Sequence, residues 1–160
     1  MNRFFAPILL LTLLFPALAF GETMKDLVER EGIHYKKFTE VPFTGKVTGK
    51  TQGSFKNGKK DGPWVQYHDN GQLMDKGTFK NGRWYGPWVS YWKNGQLLLK
   101  SIYENGFSNG PYVSYHATGQ LNSKGTYKNG KQDGPWVYYK KDGTVDKIST
   151  GTYKDGVKVK

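Results

Sequence analysis

The stretch Gly77–Leu97 reads GTFKNGRWYGPWVSYWKNGQL, and its recurrence decides the fold. Its Gly86-Pro87-Trp88 appears again as Gly62-Pro63-Trp64, Gly110-Pro111-Tyr112 and Gly134-Pro135-Trp136, each step being 24 residues. Its turn, Asn94-Gly95-Gln96-Leu97, matches Asn70-Gly71-Gln72-Leu73, Thr118-Gly119-Gln120-Leu121 and Asp142-Gly143-Thr144-Val145, again at steps of 24. A third element, Gly53-Ser54-Phe55-Lys56-Asn57-Gly58, returns at Gly77, Ser101 and Gly125. Its last copy, Gly151–Gly156, comes 26 residues on. The two extra residues fall within Asp146 to Thr150, which predicts a bulge or a longer loop there. Three elements in phase over four copies make a tandem repeat of one small structural unit.

Each unit predicts two strands, the first typified by Gln72 to Lys80 and the second by Pro87 to Trp92. Asn-Gly between apolar runs is a strong hairpin signal, because both residues tolerate positive φ. The other connection, Asn81 to Gly86, reads as a longer loop bounded by glycines, with Pro87 opening a strand where a missing N–H is tolerable. Leu73, Asp75, Gly77 and Phe79 share one strand face; Met74, Lys76, Thr78 and Lys80 share the other. In the second strand, Val65, Val89, Val113 and Val137 form one column. Tyr67, Tyr91, Tyr115 and Tyr139 form another, and Trp64, Trp88, Tyr112 and Trp136 point the opposite way. Two registers remain open. A two-residue turn sets Trp64 opposite Gly77, an aromatic covering a glycine; a three-residue turn with a bulge sets Tyr67 opposite Leu73. A slip of one residue exchanges the faces. The expected fold is all-β: an elongated, twisted antiparallel sheet of tandem 24-residue hairpins, thin rather than a filled sandwich.

Composition agrees. Gly is 21 of 160 residues, aromatics are 16% and cysteine is absent. The glycine and aromatic excess suits short strands and tight turns, not a helical bundle. Without cysteine there is no disulfide framework, thiolate metal site or thiol nucleophile. The formal charge is +11, from 24 Lys+Arg against 13 Asp+Glu. Residues 1–19 have the form of a secretory signal peptide. Arg3 supplies a positive start, Phe4 to Phe15 an apolar run, Pro16 a break, and Ala17-Leu18-Ala19 a small-residue cleavage site, with Ala19-Phe20-Gly21 as an alternative frame. The apolar run is shorter than the ~20 residues that span a bilayer. The chain therefore divides into a signal peptide (1–19), an N-terminal strand or hairpin cap (20–52) and a repeat domain (53–160), and the mature protein is expected to be periplasmic or secreted.

The unit running from Gly77-Thr78-Phe79-Lys80-Asn81-Gly82 through Gly86-Pro87-Trp88-Val89, Tyr91 and Asn94-Gly95-Gln96-Leu97 resembles the bacterial variant of the MORN repeat. It is most similar to exported or antitoxin-like proteins of the YwqK type. Ile33 to Val47, where an aromatic strand leads into Pro42-Phe43-Thr44-Gly45, resembles their N-terminal part. The resemblance extends from Leu27 to the C-terminus. It implies an elongated sheet of hairpins acting as a binding or scaffolding surface, with an antitoxin-like role in some members and a link to phospholipid binding in others.

Catalytic patterns are weak. Gly106-Phe107-Ser108-Asn109-Gly110 matches a nucleophile elbow in letters, but the elbow needs a helix to follow, and this segment is a repeat turn. Gly45 to Thr51 falls one residue short of a phosphate-binding loop, and Gln52-Gly53 opens no helix. His68 and His116 lie two units apart, roughly 19 Å at four strand spacings, too far to share a metal ion. Trp92 and Lys140 occupy the same column, which reads as variable and exposed; His34 reads as surface or strand filler. The acids Asp61, Asp69, Asp133, Asp142 and Asp155 sit in turns. No enzymatic activity, cofactor or metal is expected.

Departures from the repeat mark the candidate site. Arg83, Trp84 and Tyr85 stand where other copies have Lys59-Lys60-Asp61 and Lys131-Gln132-Asp133, and Phe107 occupies the Arg83 position one unit on. One unit is about 10 Å of sheet, so Trp84, Tyr85 and Phe107 are expected to form one aromatic cluster at the sheet margin. Leu98 and Ile102 replace Met74 and Thr78, and Trp92 adds a further ring. Exposed aromatics and aliphatics beside an Arg suit a protein-binding hot spot. Separately, Lys76, Lys100 and Lys124 share a column with the same parity as Lys56, Lys80 and Lys128, with Glu104 interrupting. They predict a basic stripe suited to an anionic lipid or an envelope glycan. Nucleic acid is not expected as a partner. The expected function is that of an exported repeat protein presenting its sheet to a protein partner. The alternatives are a peripheral binder of anionic envelope surfaces and an antitoxin-like neutralising protein. The partner's identity, its face of the sheet and the oligomeric state stay open.

Overall fold

The computed structural model describes residues 21–160; the expected signal peptide lies outside them. The N-terminal part holds β1 (Glu22–Thr23), a 3-10 turn (Met24–Asp26), β2 (Leu27–Arg30), β3 (Ile33–Lys36) and β4 (Gly45–Thr48). The repeats follow as β5 (Thr51–Lys56), β6 (Lys59–Lys60), β7 (Gly62–Tyr67), β8 (Leu73–Lys80), β9 (Arg83–Tyr91) and β10 (Leu97–Glu104). Then come β11 (Phe107–Ser108), β12 (Gly110–Tyr115), β13 (Leu121–Lys128), β14 (Lys131–Gln132), β15 (Gly134–Tyr138), β16 (Gly151–Lys154) and β17 (Val157–Lys158). Neighbours in sequence pair antiparallel to build one long twisted sheet, β1-β4-β5-β7-β8-β9-β10-β12-β13-β15-β16-β17, with β6, β11 and β14 continuing the ladder beside β5, β10 and β13. Among the described strands, β1 alone pairs parallel, onto β4. The β2–β3 hairpin stands apart from the long sheet.

Turn chemistry sets this meander. The tightest turns are not Asn70-Gly71 and its copies but Asn57-Gly58, Asn81-Gly82, Asn105-Gly106, Asn129-Gly130 and Asp155-Gly156. Both residues of each take positive φ, as at Asn81 (51°) and Gly82 (80°). That is the two-residue turn whose twist matches the strands. The segment expected as a long loop, Asn81 to Gly86, is therefore a tight turn followed directly by strand. At Asn70-Gly71 only the glycine is positive. Gly71 N–H donates to the His68 carbonyl and His68 N–H to the Gln72 carbonyl, which closes a three-residue loop.

The two open registers turn out to be compatible. Trp64 faces Gly77 and Tyr67 faces Leu73, with a bulge between Gln66 and Tyr67 absorbing the odd residue. A second irregularity gives Gly-Pro-aromatic its purpose. Lys76 faces Val89 and Thr78 faces Tyr85, which leaves Gly86, Pro87 and Trp88 against Gly77 alone. Gly86 supplies the positive φ (71°), and Pro87 lacks the N–H that a bulge leaves unpaired. The bulge lets the Trp88 ring lie flat on Gly77, where a Cβ would sit 2.1 Å from a ring carbon. Trp64 covers Gly53 and Trp136 covers Gly125 in the same way. The third copy has Ser101 in place of the glycine and the smaller Tyr112 in place of Trp, and Ser101 is buried.

These rings form the core of one face. Phe55–Trp64, Trp64–Phe79 and Phe79–Trp88 follow at centroid distances of 5.2, 5.6 and 5.6 Å. Tyr112–Tyr127 and Tyr127–Trp136 continue at 5.3 and 4.9 Å. Burying one such ring contributes about 4–6 kcal/mol of transfer free energy before side-chain ordering is counted. That is how a single sheet is held without a second layer. The N-terminal segment closes one end. Leu27 and Val47 pack with Phe55 and Trp64. The His34 ring lies 4.6 Å from Phe55. His34 N–H donates to the Gly58 carbonyl, and Gly58 N–H to the Phe43 carbonyl. The extra residues after β15 form a loop held by Asp146, which accepts from Ile148 N–H and the Ser149 hydroxyl.

Candidate interaction site

The sheet presents unlike faces. Strand alternation sets the lysine column opposite the aromatic face. Lys76 lies across from Val65 and Val89, and Lys100 from Val89 and Val113. Lys124 lies across from Val113 and Val137. Lys56, Lys80 and Lys128 flank the tight turns on the same parity. All six are exposed, and none forms an ion pair with a described residue. Glu104 does interrupt the stripe, and its carboxylate accepts from Asn109 Nδ2 at 2.6 Å.

The expected cluster of Trp84, Tyr85 and Phe107 does not form. Trp84 and Tyr85 are consecutive in β9 and point to opposite faces. Trp84 joins the aromatic face, 5.7 Å from Trp88 and 5.0 Å from Tyr103. Tyr85 lies on the lysine face, with Lys80 Nζ 5.1 Å from its ring. Phe107 packs over the next unit's turn, 3.2 Å from where a Cβ on Gly130 would be, as Arg83 packs over Gly106. All three rings stay well exposed, but they are separate features. Ile102 belongs to the lysine face, in a shallow cavity of about 330 Å³ with Pro87, Val89 and Val113.

Trp92 and Leu98 do come together. With His68, Met74, Tyr91 and Lys93 they line a groove of about 500 Å³ at the three-residue-loop margin of the sheet. Its walls are fixed. His68 Nε2 donates to the Tyr91 carbonyl at 2.9 Å and Trp92 Nε1 to the Tyr115 carbonyl at 3.0 Å; outside the groove, one unit on, His116 Nε2 makes the same bond to the Tyr139 carbonyl at 3.0 Å. The column expected to be variable and exposed is thus half-buried at His68, Trp92 and His116, and exposed only at Lys140. His and Trp exchange within it because each supplies a ring N–H to the following unit. Asn70 and Asn94 add a parallel stitch, donating to the Lys93 and Ala117 carbonyls, each at 2.7 Å. The floor is apolar because Met74 and Leu98 fall on neighbouring rungs. The next copy has Asn122 there, and its amide donates to Ser114 Oγ at 3.2 Å. Sequence reasoning missed His68 and Met74 as groove walls. The Met74, Leu98, Asn122 column was readable and a bulge was one of the open registers, but that the bulge turns this column toward the margin was not readable.

Three windows of the chain, residues 60–81, 84–105 and 108–129, match the MORN repeat variant. They are successive copies of the hairpin unit described above. A comparison with curated proteins finds no match. The groove lies between the first and second MORN repeat variant windows, with Leu98 in the second and His68 and Met74 in the first.

Ser108, the serine of the elbow-like pattern, has its hydroxyl 3.0 Å from that of Ser101, at the position where the Gly-to-Ser and Trp-to-Tyr changes coincide. Its partner is thus another serine and not an imidazole. No group of three or more acids and histidines with metal-binding geometry occurs among the described residues. Carboxylates with lowered pKa serve turns. Asp142 is held down by the Thr144 hydroxyl and N–H, and Asp69 by Lys50, whose ammonium is 2.7 Å away.

Proposed function

We propose that this is an exported, non-enzymatic repeat protein that holds an acidic protein partner by an apolar side chain. The observation that carries the reading is the Trp92–Leu98 groove, an apolar slot with hydrogen-bonded walls and Lys93 at its rim. A preformed concave apolar site suits an anchor residue, since little side-chain entropy is lost there on binding. The formal charge of +11 favours an acidic partner by steering. The signal-like composition of residues 1–19 supports export, and the likeness to YwqK-type proteins supports a more specific form in which the partner is an exported toxin. The double variant Trp92→His with Leu98→Asn imitates other copies and keeps the ring N–H. Mature protein is exposed to its own envelope fraction and washed at high salt. A stoichiometric protein retained by wild type and lost by the variant is the expected result; equal retention refutes the groove.

A second reading rests on the unpaired lysine stripe: peripheral attachment to anionic lipid or glycan. Its mark is retention on anionic vesicles that high salt abolishes and that Lys76→Glu with Lys100→Glu weakens, while the groove variant leaves it unchanged.

A further inference from the structure

The aromatic face contains a cation in a cage. Lys60 Nζ lies 4.7 Å from the Trp64 ring centroid and 5.0 Å from that of Phe79. Beside it is a cavity of about 170 Å³ whose walls include Trp64, Phe79, Trp84, Trp88 and Asp75. Trp64 and Trp88 pack edge to face with Phe79, each 5.6 Å away, and Trp84 is tilted against it at 6.4 Å. The Asp75 carboxylate is held through the Ser90 hydroxyl, which accepts from Trp88 Nε1. Lys60 and Phe79 also border a second cavity of about 290 Å³ near Glu29 and His34, so these two side chains lie between two spaces. Burial pushes its ammonium pKa below the usual 10.5. No other copy repeats this combination. The Lys60 column continues as Trp84, Ser108 and Gln132, and the Asp75 column as Leu99 and Ser123.

We propose that the cavity of Trp64, Phe79, Trp84, Trp88 and Asp75 binds a trimethylammonium group of the choline type, and that Lys60 is its built-in competitor. Four aromatic rings, two of them already within 5.0 Å of a cation, and one carboxylate suit a quaternary ammonium, since its attraction is to aromatic rings and it makes no hydrogen bonds of its own. A primary ammonium is strongly hydrated and gives up more on entering. Lys60 is tethered beside the cage and so competes with any ligand intramolecularly. The chain's +11 charge disfavours a bare cation and favours a zwitterion in which a phosphate accompanies the trimethylammonium. Phosphocholine, free or as a lipid headgroup, has that chemistry. The cage shares the Asp75 wall with the Trp92–Leu98 groove, but its ring walls are distinct, and its test changes no ring or floor residue of the groove.

The test is a tryptophan-fluorescence titration with phosphocholine, with sodium phosphate at equal ionic strength as control. Lys60→Ser, which copies Ser108, opens the cage and is expected to bind about tenfold more tightly than wild type. Adding Trp84→Ser removes an exposed wall and is expected to weaken that binding about tenfold. Sedimentation with phosphatidylcholine and phosphatidylglycerol vesicles separates the sources. Attachment to phosphatidylcholine that free phosphocholine displaces assigns the ligand to a headgroup, whereas a phosphocholine response without vesicle attachment assigns it to a soluble ligand. Natively folded Lys60→Ser with no saturable response overturns the proposal, as does a response indifferent to Trp84→Ser.

Discussion

Glycine serves two distinct purposes in this chain, and mutation separates them. Gly77 has an ordinary φ, but an added Cβ meets the Trp88 ring at 2.1 Å. Gly86 has open space around it but a φ of +71°. Gly77→Ala is expected to cost about 2–3 kcal/mol by lifting the ring, and Gly86→Ala about 1 kcal/mol through backbone strain. Urea unfolding of the two variants measures the difference, and equal losses would refute the covering role of Trp88. Trp92 makes a second residue-level case. Trp92→His keeps the N–H to the Tyr115 carbonyl, whereas Trp92→Phe leaves that carbonyl unpaired. Unfolding should show the Phe variant less stable than the His variant by about 1 kcal/mol. An aromatic over a glycine was legible in the sequence. Which glycine was not, because Trp64 faces Gly77 in the ladder yet its ring lies on Gly53.

Among elements, hairpin positions were readable but turn types were exchanged. Asn70-Gly71 and Asn81-Gly82 carry the same letters, and the choice between a two-residue and a three-residue loop depends on where the flanking ladders end. The bulge at Gly86-Pro87-Trp88 depends on how a ring on one strand meets a glycine on its neighbour. That is a pairing between strands, and periodicity along one strand does not contain it. The longer connection after β15 was predicted from the two-residue surplus, but its support by Asp146 was not. The Ser149 hydroxyl and the Ile148 N–H hold the Asp146 pKa below the ordinary 3.8. A lowered folded pKa means stability that is present above the unfolded value and lost as pH falls through the folded one. Asp146→Ala is therefore expected to lower the thermal midpoint at neutral pH and to flatten its decline in acid. A variant whose acid limb parallels wild type would show that the carboxylate does not support this loop.

At the scale of the molecule, the 24-residue period determined the architecture because Trp64, Trp88 and Trp136 each cover a glycine on the preceding strand, and Tyr112 keeps the same place in its own copy. The separation into a lysine face and an aromatic face followed from parity once strands were assigned. The candidate site was only partly legible. Trp92 and Leu98 meet in a groove, whereas Trp84, Tyr85 and Phe107 are divided among two faces and a turn, because adjacent residues of one strand cannot share a side. Repeat proteins of this kind gain stability mainly from neighbouring units, so whole units are removable where fractions are not. Deleting residues 85–108 removes 24 residues and restores the register, with Trp84 leading into Asn109. Deleting residues 97–108 removes half as many, and with them β10 and the short β11 that leads into β12, so the chain direction reverses. The most direct measurement is near-UV circular dichroism through thermal unfolding of these two deletions. The in-phase deletion should keep an ordered aromatic spectrum and a single cooperative transition, and the half-unit deletion should lose both. Loss of the aromatic spectrum in the in-phase deletion would contradict the account of interchangeable hairpin units.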